Sequence, residues 1–128
     1  MARHDEMIQR AEHELHEAKG LLDGGEESAR RAVERACACA DHSLRAHLAA
    51  HNQESDESDM ELVLDACGEI DDSIFELFDS ISTLNFYLSA FSEESLESAE
   101  VGLNDSVEAV RLAGLVFDFV VGKIKPVH

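Results

Sequence analysis

Ten apolar side chains restrict this chain more than any other feature. Met60, Val63, Cys67, Ile70, Ile74, Leu77, Ile81, Leu84, Leu88 and Phe91 follow one another in alternating steps of three and four residues. A strand would alternate every second residue, so the spacing predicts a helix over about 59–91 whose heptad seam faces other helices. Gly68 lies inside the run, where it weakens a helix by about 1 kcal/mol relative to alanine; the register is the same on both sides of it, so a third helix longer than its partners either projects beyond them or bends near Gly68. Three further stripes supply the neighbours. Ile8, Ala11, Leu15, Ala18 and Leu22 predict a helix over about 4–23, stopped by Gly24 and Gly25. Ala29, Val33, Ala36, Ala40, Leu44 and Leu48 predict a second over about 26–51, and its small residues let another helix come close, which suits the middle of a bundle. Leu103, Val107, Val110, Gly114, Phe117, Val121 and Ile124 predict the last over about 95–124, with Ser92 as a cap before it and Pro126 as its end. Between the second and third stripes, His51 to Asp59 reads as the one clear loop.

Short connections make neighbours antiparallel, so the expected architecture is all-α: an up-down-up-down four-helix bundle with a long third helix, residues 1–128 forming one domain. One proline, one tyrosine and no tryptophan fit this better than a sheet. The last helix is apolar almost all round, and one neighbour cannot cover it. Leu115, Phe119 and Val120 beside its seam are therefore the expected contact of a homodimer.

The formal net charge is −18, from 28 acidic and 10 basic side chains, and no lysine or arginine lies between Arg45 and Arg111. Such a surface repels phosphate backbones, which excludes autonomous DNA binding. Only three of the cations are lysines. The acidic bias matches the proteome of a halophilic archaeon that keeps molar salt inside the cell, where screening relieves the self-repulsion; the competing reading is an acidic module that docks on a basic partner, against which the spread of acids over every predicted helix argues. The uncharged run from Leu112 to Phe117 is too short for a membrane span. His4, Asp5 and Glu6 occupy the place where a signal peptide would be apolar, so the expected location is the cytoplasm.

Few side chains offer chemistry. Cys37, Cys39 and Cys67 are an odd number, and Cys37 and Cys67 fall on apolar stripes, where thiols act as small hydrophobes. Cys37 and Cys39 are two apart, about 200° around a helix, and cannot both face one ion. His13 with Glu17 and His47 with His51 stand four apart, as metal ligands on a helix do. This is similar to the di-iron carriers of the hemerythrin type, but no histidine lies between residues 52 and 127, so half of such a site is missing. A histidine-rich metal-binding bundle is thus the lesser alternative, and neither a metal nor a cofactor is expected. Phosphate loops, nucleophile elbows and Cys-x-x-Cys pairs are missing from the sequence.

The string Arg10-Ala11-Glu12, Glu14-Leu15, Ala18-Lys19-Gly20-Leu21-Leu22, Gly24-Gly25 resembles the opening helix of HEPN domains (higher eukaryotes and prokaryotes nucleotide-binding), with its R-A-x-x-x-L-x-x-A-K-x-L-L-x-x-G alternation. Arg35, Cys37, Cys39, His42, Leu44-Arg45-Ala46 and Leu48 resemble the R-x-Y-Y-A-x-F-H-A-x-R-A-L-L string that follows it in that family. The likeness covers about the first 50 residues and, more loosely, the apolar last helix. It implies a bundle of four or five helices, commonly dimeric, that is encoded beside a nucleotidyltransferase or acts as a ribonuclease. This chain has Cys37, Ala38 and Asp41 where the family prefers aromatics. Family ribonucleases carry a histidine four to six residues after an arginine, whereas Arg111 is followed by Leu115, Val116 and Phe117. The expectation is a non-catalytic dimeric helical module that binds a partner protein, such as a nucleotidyltransferase, or a nucleotide. The alternative is a metal-independent HEPN-type ribonuclease in which Arg35 holds the scissile phosphate and His42 is the general base.

Overall fold

The structure is a computed structural model that describes residues 3–92 and 103–124, without the side chains of 26–27, 89–92 and 103. Among these residues there are five α-helices and no strand: α1 (Arg3–Leu21), α2 (Ala29–Ala50), α3 (Met60–Ile70), α4 (Phe78–Ser92) and α5 (Leu103–Ile124). The first helix ends near its predicted limit. The chain then tightens into a 3-10 segment, Leu22–Ser28, inside which Gly25 takes φ 70° and ψ −154°, a conformation open to glycine at little cost. This segment uses the residues expected to begin the second helix, so α2 starts at Ala29.

The alanine stripe makes α2 the centre of the bundle. Ala29, Ala32, Ala36 and Ala40 are fully buried, and α2 packs on all four other helices, most extensively on α1 and α5. Against it α1 sets Ile8, Ala11, Leu15 and Ala18, small and large side chains in turn, so the two backbones come close. Helix α5 contributes Ala109, Val110, Leu112, Ala113, Val116, Phe117 and Val120 to the same core.

The long third helix is not continuous. It divides into α3, a 3-10 turn over Asp72–Leu77, and α4. Asp71 interrupts it by adopting an extended conformation (φ −146°, ψ 102°), and its carboxylate accepts hydrogen bonds from the backbone N–H of Ser73 at 3.0 Å and the Ser73 hydroxyl at 2.6 Å. An Asp that caps a new turn competes with helix continuation. Gly68 seals the bend from the other side. A Cβ there would lie 2.0 Å from the Phe75 ring, so the ring packs directly on the glycine backbone. The seam survives the interruption because Ile74 and Leu77, in the 3-10 turn, stay buried.

The result is an antiparallel α3–α4 hairpin. At its open end the Glu61 carboxylate accepts from Ser82 Oγ and Asn85 Nδ2, each at 3.0 Å. Asp59 caps α3 by accepting from the Glu61 N–H at 2.8 Å. On the other flank the Tyr87 hydroxyl lies between Glu108 Oε1 (3.1 Å) and Asp105 Oδ1 (3.3 Å), which ties α4 to α5. Burial and these carboxylates push the Tyr87 phenol upward.

Of the three residues expected at a dimer contact, Val120 is fully buried in the chain's own core. The helices that α5 packs on cover that side of it more completely than the sequence suggests. Phe119 is half-buried, with Lys123 Nζ 5.5 Å from its ring centre, and Leu115 is exposed. The expected Ser92 cap, the start of a helix at 95 and the stop at Pro126 involve residues or side chains outside those described. No helix among the described residues is long and apolar enough to cross a membrane.

Candidate functional site

The start of α1 and the second half of α2 frame a cleft. Met7, Arg3, Glu6 and Arg10 line it from α1, and His42 and Arg45 from α2; its volume is about 290 Å³. The spacing of Arg3, Met7 and Arg10 puts them on one face of α1. A second hollow of about 170 Å³ shares Arg3, Met7 and Arg45 and runs on to Leu48 and residues 53–56. Three of the ten cations of this acidic chain thus converge on one place.

Each wall is built from local constraints. Arg45 is a strut: its Nε donates to Asp41 at 2.9 Å, one terminal nitrogen donates to the Ser55 carbonyl at 2.9 Å and the other to the Glu57 carbonyl. A guanidinium has several donors in one plane, so a single side chain can hold an irregular loop by its backbone oxygens. Arg3 pairs with Glu54 across the mouth of the second hollow. Arg10 is exposed and, among the described residues, has no carboxylate partner.

His42 forms the floor. Its Nδ1 donates to Glu14 Oε1 at 2.6 Å, and Glu14 is only 8% exposed. A carboxylate can only accept, so this bond puts the proton of a neutral ring on Nδ1 and leaves Nε2 as an acceptor. The nearby Cys39 is turned toward α1 and α5, with Glu14, Lys19 and Asp118 in its surroundings. Cys37 faces the opposite way and donates to the Leu84 carbonyl at 3.3 Å, while Cys67 donates to that of Leu44 at the same distance. Burial pushes all three thiols up to about 12, which makes them poor nucleophiles.

The two residues singled out from the sequence do not share this site. Arg35 is exposed on α2, about two turns and roughly 10 Å before His42, and does not line the cleft. The cations beside His42 come from α1 instead. Glu14 could have been found from the sequence, since a carboxylate three residues after Ala11 falls on a buried stripe and needs a partner. Nothing local marks Arg3 or Arg10.

The other histidine pairs sit elsewhere. His13 and Glu17 form an exposed pair at 2.8 Å. His47 and His51 have ring centres 5.0 Å apart, and among the described residues no three ligand-type side chains converge to hold a metal ion. His51 Nδ1 is 3.0 Å from the His47 carbonyl, whereas both ring nitrogens of His47 are buried and without a hydrogen-bond partner.

No family profile and no curated protein matches the chain. Solved structures do. The protein TT1696 from Thermus thermophilus superimposes with a TM-score of 0.81 at 22% identity, over 96% of this chain and 99% of that one. ST0689, described as an archaeal HEPN homologue, gives 0.79 at 21% identity, over 98% and 100%. The fold is therefore HEPN-like along nearly the whole chain.

Proposed function

We propose that this HEPN-like bundle is a non-catalytic module that binds a phosphate-bearing ligand of the nucleotide class in the cleft of Arg3, Arg10 and His42. The observation that carries this reading is the gathering of three arginines on one cleft in a chain of net charge −18. Charge-assisted hydrogen bonds from guanidinium groups are the usual means of holding phosphate. Arg10 is exposed and has no carboxylate to neutralise it among the described residues, so it is the side chain with most to gain from an anion. The test is calorimetric titration with ATP in 1 M KCl. The Arg10→Ala variant is expected to bind about tenfold more weakly, or worse, for the loss of a charged hydrogen bond. Absence of binding, or affinity indifferent to Arg10, would remove the reading.

One observation favours the ribonuclease alternative. The Glu14–His42 pair orients an imidazole as a general base requires. In that version Arg3 and Arg10, not Arg35, would meet the phosphate. RNA cleavage by the wild type that is lost in His42→Ala would put catalysis in place of binding.

The module is further proposed to act as a homodimer through α5, with a nucleotidyltransferase as its protein partner, the latter on the HEPN resemblance. Support for the dimer comes from Val107 and Leu115, which lie on one exposed strip of α5 at 48% and 47% exposure. Sedimentation in molar KCl is expected to show a wild-type dimer and a Leu115→Glu monomer. A monomeric wild type at tens of micromolar would exclude it.

A further inference from the structure

The α3–α4 hairpin presents the largest group of exposed apolar side chains among the described residues. Leu62 is 47% exposed, Phe75 42%, Phe78 48% and Phe86 68%. They lie on two adjoining helices and the turn between them. The hydrogen bonds from Ser82 and Asn85 to Glu61 bring the Phe86 end of α4 to the Leu62 end of α3, and the Phe75 ring on Gly68 closes the other end. Three exposed phenylalanines on one hairpin are unusual in a chain with only six.

The charge around them is of one sign. Between residues 46 and 110 there are seventeen acidic side chains and no lysine or arginine, while seven of the ten cations precede residue 46. The net charge of the chain is therefore concentrated in the half that contains the hairpin. Asp65, Glu69, Glu76 and Asp79 are exposed on the same elements as the aromatic rings.

We infer that the outer face of the α3–α4 hairpin is a docking surface for a basic, amphipathic segment of another protein, with apolar side chains that cover the phenylalanines and Lys or Arg that meet the surrounding carboxylates. A second copy of this chain is a poor occupant, because it would bring two faces without a cation together. Nucleic acid and anionic lipid are repelled for the same reason. A helix with one apolar and one basic stripe satisfies both properties of the face at once. The cleft of Arg3 and Arg10 lies on other elements, so this inference stands or falls independently of ligand binding there.

The experiment uses the full chain in 0.3 M KCl, with folding checked by circular dichroism. The probe is an 18-residue Leu/Lys amphipathic peptide, beside the same peptide with Glu in place of Lys. The paired substitution Phe78→Ser and Phe86→Ser leaves every charge in place. It is expected to weaken binding of the Lys peptide at least about tenfold, since both components of the surface contribute. The control pair Gln9→Ser and His16→Ser, exposed on α1, is expected to change it less than about twofold, and the Glu peptide is expected not to bind. Equal affinity of the phenylalanine variant and the wild type would overturn the inference, since charge alone would then be attracting the peptide. Failure of the wild type to bind would overturn it too. So would sedimentation showing a wild-type dimer that dissociates on the Phe78→Ser and Phe86→Ser change, which would make the second copy the occupant.

Discussion

Raising KCl from 0.1 to 2 M will increase the melting temperature by about 10 °C or more, which for a domain of this size corresponds to roughly 2 kcal/mol. The cause is the concentration of seventeen carboxylates without a cation between residues 46 and 110. Within that stretch the carboxylates of α3, the 3-10 turn and α4 share one hairpin, and folding brings them closer together than they are in the extended chain. At 0.1 M salt the screening length is about 10 Å, longer than the spacing of neighbouring acids on a helix; at 1 M it is about 3 Å. Repulsion is thus relieved in the folded state first. The few ion pairs work against this trend only weakly, because Arg30 with Glu34 and Lys123 with Asp71 are partly or largely exposed. Differential scanning calorimetry over a KCl series checks the prediction, with NaCl alongside to separate screening from a specific potassium effect. A flat melting temperature would refute both the salt dependence and the halophilic reading of the composition.

The second large effect is acid sensitivity centred on His47. Its ring is 1% exposed, and neither nitrogen has a hydrogen-bond partner. Burial lowers its pKa from the ordinary value of 6.5. His51 on the same helix pushes in the same direction, as does Lys123 on α5, while Asp71 at the α3 break pushes back. A base whose folded pKa is depressed stays neutral in the native state after its unfolded counterpart has taken a proton. The unfolded chain then binds more protons, so stability is complete above about pH 6.5 and is lost as the pH falls below it, by at most about 1.4 kcal/mol per pH unit for one site. His47→Leu removes the proton and the two unpaired nitrogens together. It is expected to flatten the stability profile between pH 7.5 and 5.5 and to raise stability at pH 5.5 by about 1 kcal/mol or more. Asp71 cannot produce the same slope, since its hydrogen bonds to Ser73 and the neighbouring Lys123 hold its carboxyl at about 2, and its titration lies far below this window. Urea titrations of wild type and variant across that range test this; parallel profiles would assign the acid sensitivity to other groups.

How far the sequence could be read depended on whether the relevant force acts along one helix or between several. Periodicity located α1, α2 and α5 to within a few residues over the described range, because burial on one face repeats every three to four positions. The same signal carries no mark of the break, which lies at Asp71, three residues beyond the Gly68 where a bend is one of the two expectations. A heptad seam records which side is buried, and the 3-10 turn keeps Ile74 and Leu77 on that side while the backbone changes course. Asp71, two residues ahead of Ser73 and three beyond Gly68, is the local sign that periodicity overrides. In the cleft, His42 is visible through the HEPN resemblance, whereas Glu14 goes unremarked although its place on an apolar stripe marks it. Arg3 and Arg10 reach the site only because α1 packs on α2, and no pattern within residues 3–10 records that.

Arg45 gives the loop and the cleft a common thermodynamic currency. The guanidinium that holds the carbonyls of Ser55 and Glu57 is also a wall of the cavity. An anion that recruits it must draw on donors already engaged by the loop. Occupancy of the cleft and release of residues 53–57 are then linked functions, each biasing the other by the same factor. Exchange of the loop amides with deuterium would register a ligand that never touches them.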